Sequence, residues 1–392
     1  MTSFGQRHVL ALHSAPITSL IFSQCGNWLA SGGEDGFVGI WKVLDGQLEQ
    51  KLDLRIGGAI SHLCWLSTPS RHDEHIRCLN LVIATSDTRI RLWSTDTETE
   101  TDRLKLKPLW AFTAFHASRD QVECMAVSEF GSRHLLAVVG GTNLVLYSLE
   151  GAETVKLLVT EDFQATARTV HFTDGGATLV VGFLESRELL VWQVEPWEKR
   201  MHVELNTRIG HSAWSPEYRT LAVANLVNGV DLYQQLEPPV WNKTLTRSMV
   251  INNVKQVAFC NHGRLVVSGG DIGRALVWNR ADGEVVQMLD HNTELPIQII
   301  ATGSTSLGHT IATGESGGSC SVFLWSEGLH HDKPSPVTRR RWNRPLRDSI
   351  LVSSSVLLNV TLVILAALLL HFLDISGYLS CINDTFLYAW NR

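Results

Sequence analysis

An all-β fold built from seven repeated units is the architecture this sequence predicts, and three observations predict it. Aromatic residues close a β-rich string seven times, at Trp41, Trp93, Tyr147, Trp192, Tyr233, Trp278 and Trp325, with intervals of 41 to 54 residues. That interval is the period of a propeller blade. Before each closing string (GFVGIW, TRIRLW, TNLVLY, RELLVW, NGVDLY, GRALVW, CSVFLW) stand two further apolar or β-branched runs bounded by Gly, Asn, Asp or Ser, the composition of strands separated by turns.

The first unit, His13 to Trp41, is the most complete. Ile17, Leu20 and Phe22 supply a first strand, Gly26 a turn, Leu29-Ala30-Ser31 a second strand, and Val38-Gly39-Ile40-Trp41 a third after the Gly-Gly-Glu-Asp-Gly turn. The first strands of the later units are ISHLCWLS, VECMAVS, ARTVHFT, IGHSAWS, VKQVAFC and IQIIATG. Trp65, Phe172, Trp214 and Phe259 share one position among them and are read as core.

Apolar residues make up 44% of the 392 and charged ones 18%, enough for a large buried core. A net charge of −6 with a pI near 6.2 gives no overall basic field, so nucleic acid is not an expected partner. The seven cysteines are scattered without CxxC or zinc-type spacing and are read as reduced. No nucleotide, zincin or nucleophile-elbow motif is present, so the expectation is a non-enzyme without a metal or cofactor.

These strings, from about residue 5 to residue 327, resemble the WD-repeat family. The resemblance implies a seven-bladed β-propeller with four antiparallel strands per blade. The signature residues have decayed: no unit ends in Trp-Asp, and the turn acid six before the closing aromatic survives as Asp35 and Asp87 but is replaced by Gly141, Ser186 and Val227 in units three to five. The first unit keeps the family's internal hydrogen-bond set, His13, Ser31, Asp35 and Trp41, which the resemblance assigns to the packed interior of the blade. The competing reading, a Ser-His-Asp catalytic set, lacks an accompanying oxyanion motif.

The last unit stops at its third strand. Gly5 to His13 parallels Gly46 to Leu54 and Gly283 to His291, the segments that follow the closing aromatics of units one and six. Gly5 to Leu12 is therefore expected to be the outer strand of the last blade, joining the two ends of the ring and hiding an edge. Two polar connections interrupt unit two, Ser67 to Arg77 and Ser94 to Asp102. His72, Asp73, Glu74 and His75 in the first of them are metal-like in type but read as a solvated loop.

After the propeller (1–327), residues 328–348 read as a Pro/Arg-rich linker. Residues 349–373 contain no Asp, Glu, Lys or Arg and are long enough for one transmembrane helix. Arg339, Arg340, Arg341, Arg344 and Arg347 precede this span and only Arg392 follows it, so the positive-inside rule places the propeller in the cytosol and 374–392 in the lumen or exterior. The arginines also suit anionic lipid headgroups, at about 1 kcal/mol each. Asn242, Asn359 and Asn383 head glycosylation triplets, none expected to be used efficiently in this topology.

The expected function is a single-pass, tail-anchored scaffold of the endoplasmic reticulum or another endomembrane that recruits protein or peptide partners. Its candidate contact rim is His13, Ser14, Ala15, Glu34, Asp35 and Gly36 with the mouth of the central channel. The alternative is regulation of a small GTPase in vesicle trafficking. In layout only, the chain resembles the membrane-bound propeller exchange factors of endoplasmic-reticulum coat assembly, but their Gly-rich loop has no counterpart in Leu10 to Ser19, which contains no glycine. A ubiquitin-ligase substrate receptor would need an adaptor-binding helical motif that is not visible.

Overall fold

A computed structural model of the chain describes residues 3–69, 77–95, 104–115, 120–131, 133–150, 154–247, 249–305 and 308–328. These form seven four-stranded antiparallel sheets. The N-terminal strand is β1 (Phe4–Leu10), and blade one follows as β2 (Ile17–Phe22), β3 (Trp28–Gly33), β4 (Phe37–Lys42) and β5 (Leu48–Asp53). Blade two is β6 (Ile60–Pro69), β7 (Arg77–Thr85), β8 (Arg89–Thr95) and β9 (Leu106–Thr113), and blade three β10 (Cys124–Phe130), β11 (Arg133–Gly140), β12 (Asn143–Glu150) and β13 (Thr154–Asp162). Blade four is β14 (Ala167–Thr173), β15 (Thr178–Phe183), β16 (Glu188–Gln193) and β17 (Glu198–Glu204), and blade five β18 (His211–Ser215), β19 (Thr220–Ala224), β20 (Gly229–Gln234) and β21 (Val240–Thr246). Blade six is β22 (Val257–Cys260), β23 (Leu265–Ser268), β24 (Arg274–Asn279) and β25 (Val285–Asp290). Blade seven contributes β26 (Ile297–Thr305), β27 (Gly308–Glu315) and β28 (Val322–Glu327).

The fourth strand of blade seven is β1, which pairs antiparallel with β28 from Phe4↔Glu327 to Leu10↔Val322. The ring therefore closes on its own N-terminus. The connection expected over Ser67 to Arg77 is shorter than its polarity suggested, because β6 continues to Pro69 and β7 begins at Arg77. The remainder of that loop, including His72 to His75, lies outside the described residues, as do 96–103 and everything from 329 onward: linker, predicted span 349–373 and tail. Among the described residues no helix is long and apolar enough to cross a membrane.

Both faces of each blade are apolar because each packs on a neighbour. Seven buried clusters result, one per interface: Val38, Ile40, Leu63 and Leu81 join blades one and two, and Ile17, Leu20, Ala312 and Leu324 join blades seven and one. The other five repeat the arrangement around the ring. Glycine is required where turns press on a neighbour. Gly26 has φ +72° and a side chain there would strike the Ser304 carbonyl, while Gly36 has φ +74° and faces the Gly58 carbonyl.

A bulge recurs beside the closing aromatic in every blade, between Ile40 and Trp41, Leu92 and Trp93, Leu146 and Tyr147, Val191 and Trp192, Leu232 and Tyr233, Val277 and Trp278, and at Gln6/His8 opposite Trp325. The extra residue increases the local twist and lets the outer strand follow the splayed edge of the blade.

Glutamine side chains add a second tie between neighbouring outer strands. The Gln50 side-chain amide accepts from Leu106 N–H and donates to the Leu106 carbonyl, at 2.8 and 2.9 Å. Gln287 does the same to Phe4, at 2.8 and 2.7 Å, so the closing strand is held from both sides. Phe4 itself is buried with Leu289 and Trp325. Phe4→Ala is expected to cost about 3–5 kcal/mol in denaturant unfolding, while Val9→Ala on the same strand, where the side chain is exposed, should cost well under 1 kcal/mol.

Candidate functional site

The channel along the ring axis and its two rims are where this fold can meet ligands. The upper rim carries the turns from second to third strands and the links between blades. The lower rim carries the first-to-second and third-to-fourth turns.

At the upper rim of blade one the four predicted residues are brought together. His13 Nδ1 lies 3.1 Å from Asp35 Oδ1, His13 Nε2 lies 2.9 Å from Ser31 Oγ, and Trp41 Nε1 donates to Ser31 Oγ at 2.8 Å. Asp35 also accepts the N–H groups of Ser14 and Phe37. Burial alone would push the Asp35 carboxyl up, but these backbone donors and His13 together hold it below its usual range. Burial lowers the His13 imidazole against the pull of Asp35. Ser31 is fully buried and its hydroxyl is engaged by both ring systems, so a substrate carbonyl cannot reach it as a nucleophile would require. The arrangement satisfies polar groups inside a packed blade.

Blade seven holds a related network that sequence reading missed. His291 Nε2 lies 2.6 Å from Thr313 Oγ1, Trp325 Nε1 donates to the same oxygen at 2.8 Å, and Glu315 stands 3.5 Å from His291 Nδ1. Thr313 takes the place of Ser31: Thr313 pairs with Phe323 as Ser31 pairs with Gly39. In blade six Arg247 takes the histidine's place and donates to Ser268 Oγ at 3.0 Å. The visible signal was His291, which ends a segment parallel to Gly5–His13.

The expected contact rim is only partly a surface. Ser14 and Glu34 are exposed and Ala15 is half-buried, but His13 and Gly36 are buried, and the Asp35 carboxylate is spent on the hydrogen bonds above. Larger exposed features lie on the same rim at blade six. There the Lys255 Nζ sits 2.9 Å from Asp271 Oδ1 with both side chains buried, and donates to the Ile251 carbonyl at 2.8 Å. Asp271 Oδ2 accepts the Val250 N–H at 2.8 Å. This ion pair hangs the 250–253 segment on the blade and lifts Val250 and Ile251 into solvent. A lysine in a strand-like run gives no sequence signal of burial.

Inside the channel the upper cavity, about 670 Å³, is lined by Thr18, His62, Glu123, Arg168, His211 and Gln298 among others. Arg168 pairs with Glu123 and donates to the Gly210 carbonyl. Below, His171 Nε2 lies 2.8 Å from Ser212 Oγ, and His211 Nδ1 accepts the Val257 N–H at 3.2 Å, tying blade five to blade six. Burial, reinforced by Arg168 and the other histidines, pushes His62 down to about 4 and His211 to about 3, and burial alone takes His171 to about 4. All three imidazoles are neutral at pH 7, as the acceptor role of His211 Nδ1 requires. Trp65 is buried and donates to the Ile21 carbonyl. Phe172, Trp214 and Phe259, expected as core, pack against the interblade clusters but are half-buried, because the inner strand faces both a neighbouring blade and the channel. Among the described residues no group of three or more His, Cys, Asp or Glu is placed to hold a metal ion, and six cysteines are free thiols.

Two outcomes follow. Asp35→Ala should lower stability by about 1–3 kcal/mol in denaturant unfolding, by stranding buried donors. The histidine pKa values lie below the unfolded value of about 6.5, so the unfolded chain takes up protons first, and the stability present above pH 7 drains away as pH falls from 6.5 toward 4. The unfolding midpoint should therefore be clearly lower at pH 5 than at pH 7.5, and His62→Gln with His211→Gln should flatten that slope.

Residues 4–42 and 63–94 match the family described as WD domain, G-beta repeat. These segments contain the two surviving turn acids, Asp35 and Asp87. Over 85 residues the chain is 28% identical to the ribosome biogenesis protein BOP1 homolog of Oryza sativa subsp. japonica, a stretch covering 20% of this chain and 12% of that protein. With seven four-stranded sheets closed in a ring, the described residues form a seven-bladed β-propeller, two segments of which match WD40 repeats.

Proposed function

We propose that the protein is a membrane-tethered scaffold whose propeller recruits protein partners through the upper rim. The observation that carries this reading is the apolar strip at blade six. Val250 is 71%, Ile251 46%, Ile272 51% and Leu295 38% exposed. Hydrogen bonds hold these segments together: Asp271 accepts the N–H groups of Val250 and Ile251, and Gly273 N–H donates to the Leu295 carbonyl at 2.7 Å. Ile272 sits between them with φ +54°, a conformation that a β-branched residue adopts only at a cost. A strained, exposed isoleucine contributes little to folding, and such strain gathers at binding sites. Val227 stands at the corresponding turn position in blade five and is also exposed. Ser14, Ala15 and Glu34 give the same rim a polar border at blade one, in the pattern of an apolar centre with a wettable edge.

The tether rests on the uncharged run 349–373 and the five arginines from 339 to 347; the bilayer, its anionic headgroups and an endomembrane location belong to the same proposal. Resistance of membrane association to alkaline carbonate, lost when 349–373 is deleted, checks it. No specific observation favours GTPase regulation: Leu10 to Ser19 is taken up by the end of β1, the His13 turn and the start of β2. The local likeness to a ribosome biogenesis protein covers 20% of this chain and 12% of that protein and does not carry that role.

Ile272→Gly should keep the unfolding midpoint or raise it, since glycine relieves the strain. Ile251→Asp together with Ile272→Gly should strip most partners from a proximity-labelling profile of the full chain. An unchanged profile would remove the rim from consideration.

A further inference from the structure

The lower half of the channel carries a feature independent of the upper rim. One position of each innermost strand lies opposite the second-strand residue that pairs with the closing aromatic, as Trp214 pairs with Leu221 and Leu221 with Tyr233. Around the ring this position is aromatic in five blades: Phe22, Trp65, Phe172, Trp214 and Phe259. Four of them, all but Phe259, line one cavity of about 760 Å³ at the lower end of the channel. Phe259 lines the adjoining cavity of about 380 Å³, which shares Phe22 and Trp214.

The carboxylates lining this end outnumber its basic lining groups. Glu129 and Asp174 line the larger cavity and Glu217 the smaller, and neither is lined by Lys or Arg among the described residues. Both carboxylates of the larger cavity have a basic neighbour: Glu129 Oε1 lies 3.4 Å from His134 Nε2. Arg219 pairs with Asp174 at 3.2 Å, and Arg280 stacks 3.7 Å from the Tyr218 ring centre and donates to the Gly263 carbonyl. His171 is neutral at pH 7. Aromatic faces attract cations through their quadrupole, most strongly tryptophan, and carboxylates at the entrance add a field that steers positive charge inward.

We propose that this lower cavity is a cage for a lysine or arginine side chain presented by an extended segment of a partner protein. The cation lies against Trp214 and Phe172, and Glu129 and Asp174 face it at the mouth. The blade-six strip of the upper rim is apolar and sits at the other end of the channel, so the two sites take different chemistry and can be separated by mutation.

The test uses the full chain with two pairs of acetylated, amidated pentapeptides, Ala-Ala-Lys-Ala-Ala against its norleucine counterpart and Ala-Ala-Arg-Ala-Ala against its citrulline counterpart, followed by saturation-transfer NMR at two salt concentrations. The basic peptides should bind about tenfold more tightly than their neutral isosteres, and more weakly at high salt. Glu129→Gln with Asp174→Asn should cost about fivefold. Asn suits position 174, where φ is +49°. Trp214→Leu should cost at least as much; if it fails to fold, the carboxylate variant, which changes only exposed groups, still decides. Ile272→Gly should leave binding unchanged. Equal binding of basic and neutral peptides, no detectable binding of either, or indifference to the Glu129/Asp174 variant would each overturn the cage.

Discussion

The pairing of β1 with β28 is the constraint on which the rest of the molecule depends. Each blade is apolar on both faces and is stable only between two neighbours, so an open seam would expose the clusters around Leu20 and Leu324 on one side and leave Phe4 unpacked on the other. Burying such side chains is worth roughly 1.5–3 kcal/mol each. The contact is paid for in loop entropy by joining residues about 320 apart, a cost that grows only with the logarithm of the separation. Because β1 is both the outer strand of blade seven and the lead into blade one, closing the ring also positions His13.

The two blades that flank the seam carry the two imidazole networks, His13 with Ser31, Asp35 and Trp41, and His291 with Thr313, Glu315 and Trp325. Both end on an indole N–H that would otherwise be buried without an acceptor. Other blades meet the same demand differently: the Tyr147 hydroxyl donates to the Ala114 carbonyl, and Arg247 donates to Ser268. What these four blades share is the duty to satisfy buried polar groups at the upper turn, since leaving one unpaired costs about 1–3 kcal/mol. The residues that discharge it vary. Where the duty is met by a buried ion pair, Lys255 with Asp271, the fold also gains a raised apolar loop.

Much of the fold was legible because strand period and turn chemistry are local. The seven closing aromatics, the order of strands in each blade and the N-terminal closing strand all follow from segments that look alike. Register is less legible. The blade-seven network escaped because two extra residues separate Thr313 from Trp325, relative to Ser31 and Trp41, and because its acid is Glu315, outside the usual turn position. Lys255 reads as solvent-facing until its partner across the turn is known. The aromatics at 172, 214 and 259 read as core because alternation along a strand cannot distinguish a neighbouring blade from the channel beside it. In the predicted rim, sequence proximity to a turn does not tell which atoms are accessible: His13 and Gly36 are buried, and the exposed apolar groups lie at blade six.

Hydrogen exchange resolved to single peptides addresses the closing strand most directly. If β1 completes the ring, amides of Phe4–Leu10 that bond to β28 exchange as slowly as those of β27, and the Phe4→Ala chain loses protection in β1 and β28 before the middle blades. Rapid exchange across Phe4–Leu10 while β27 remains protected would mean the ring is not held shut by its N-terminus, and would contradict the account.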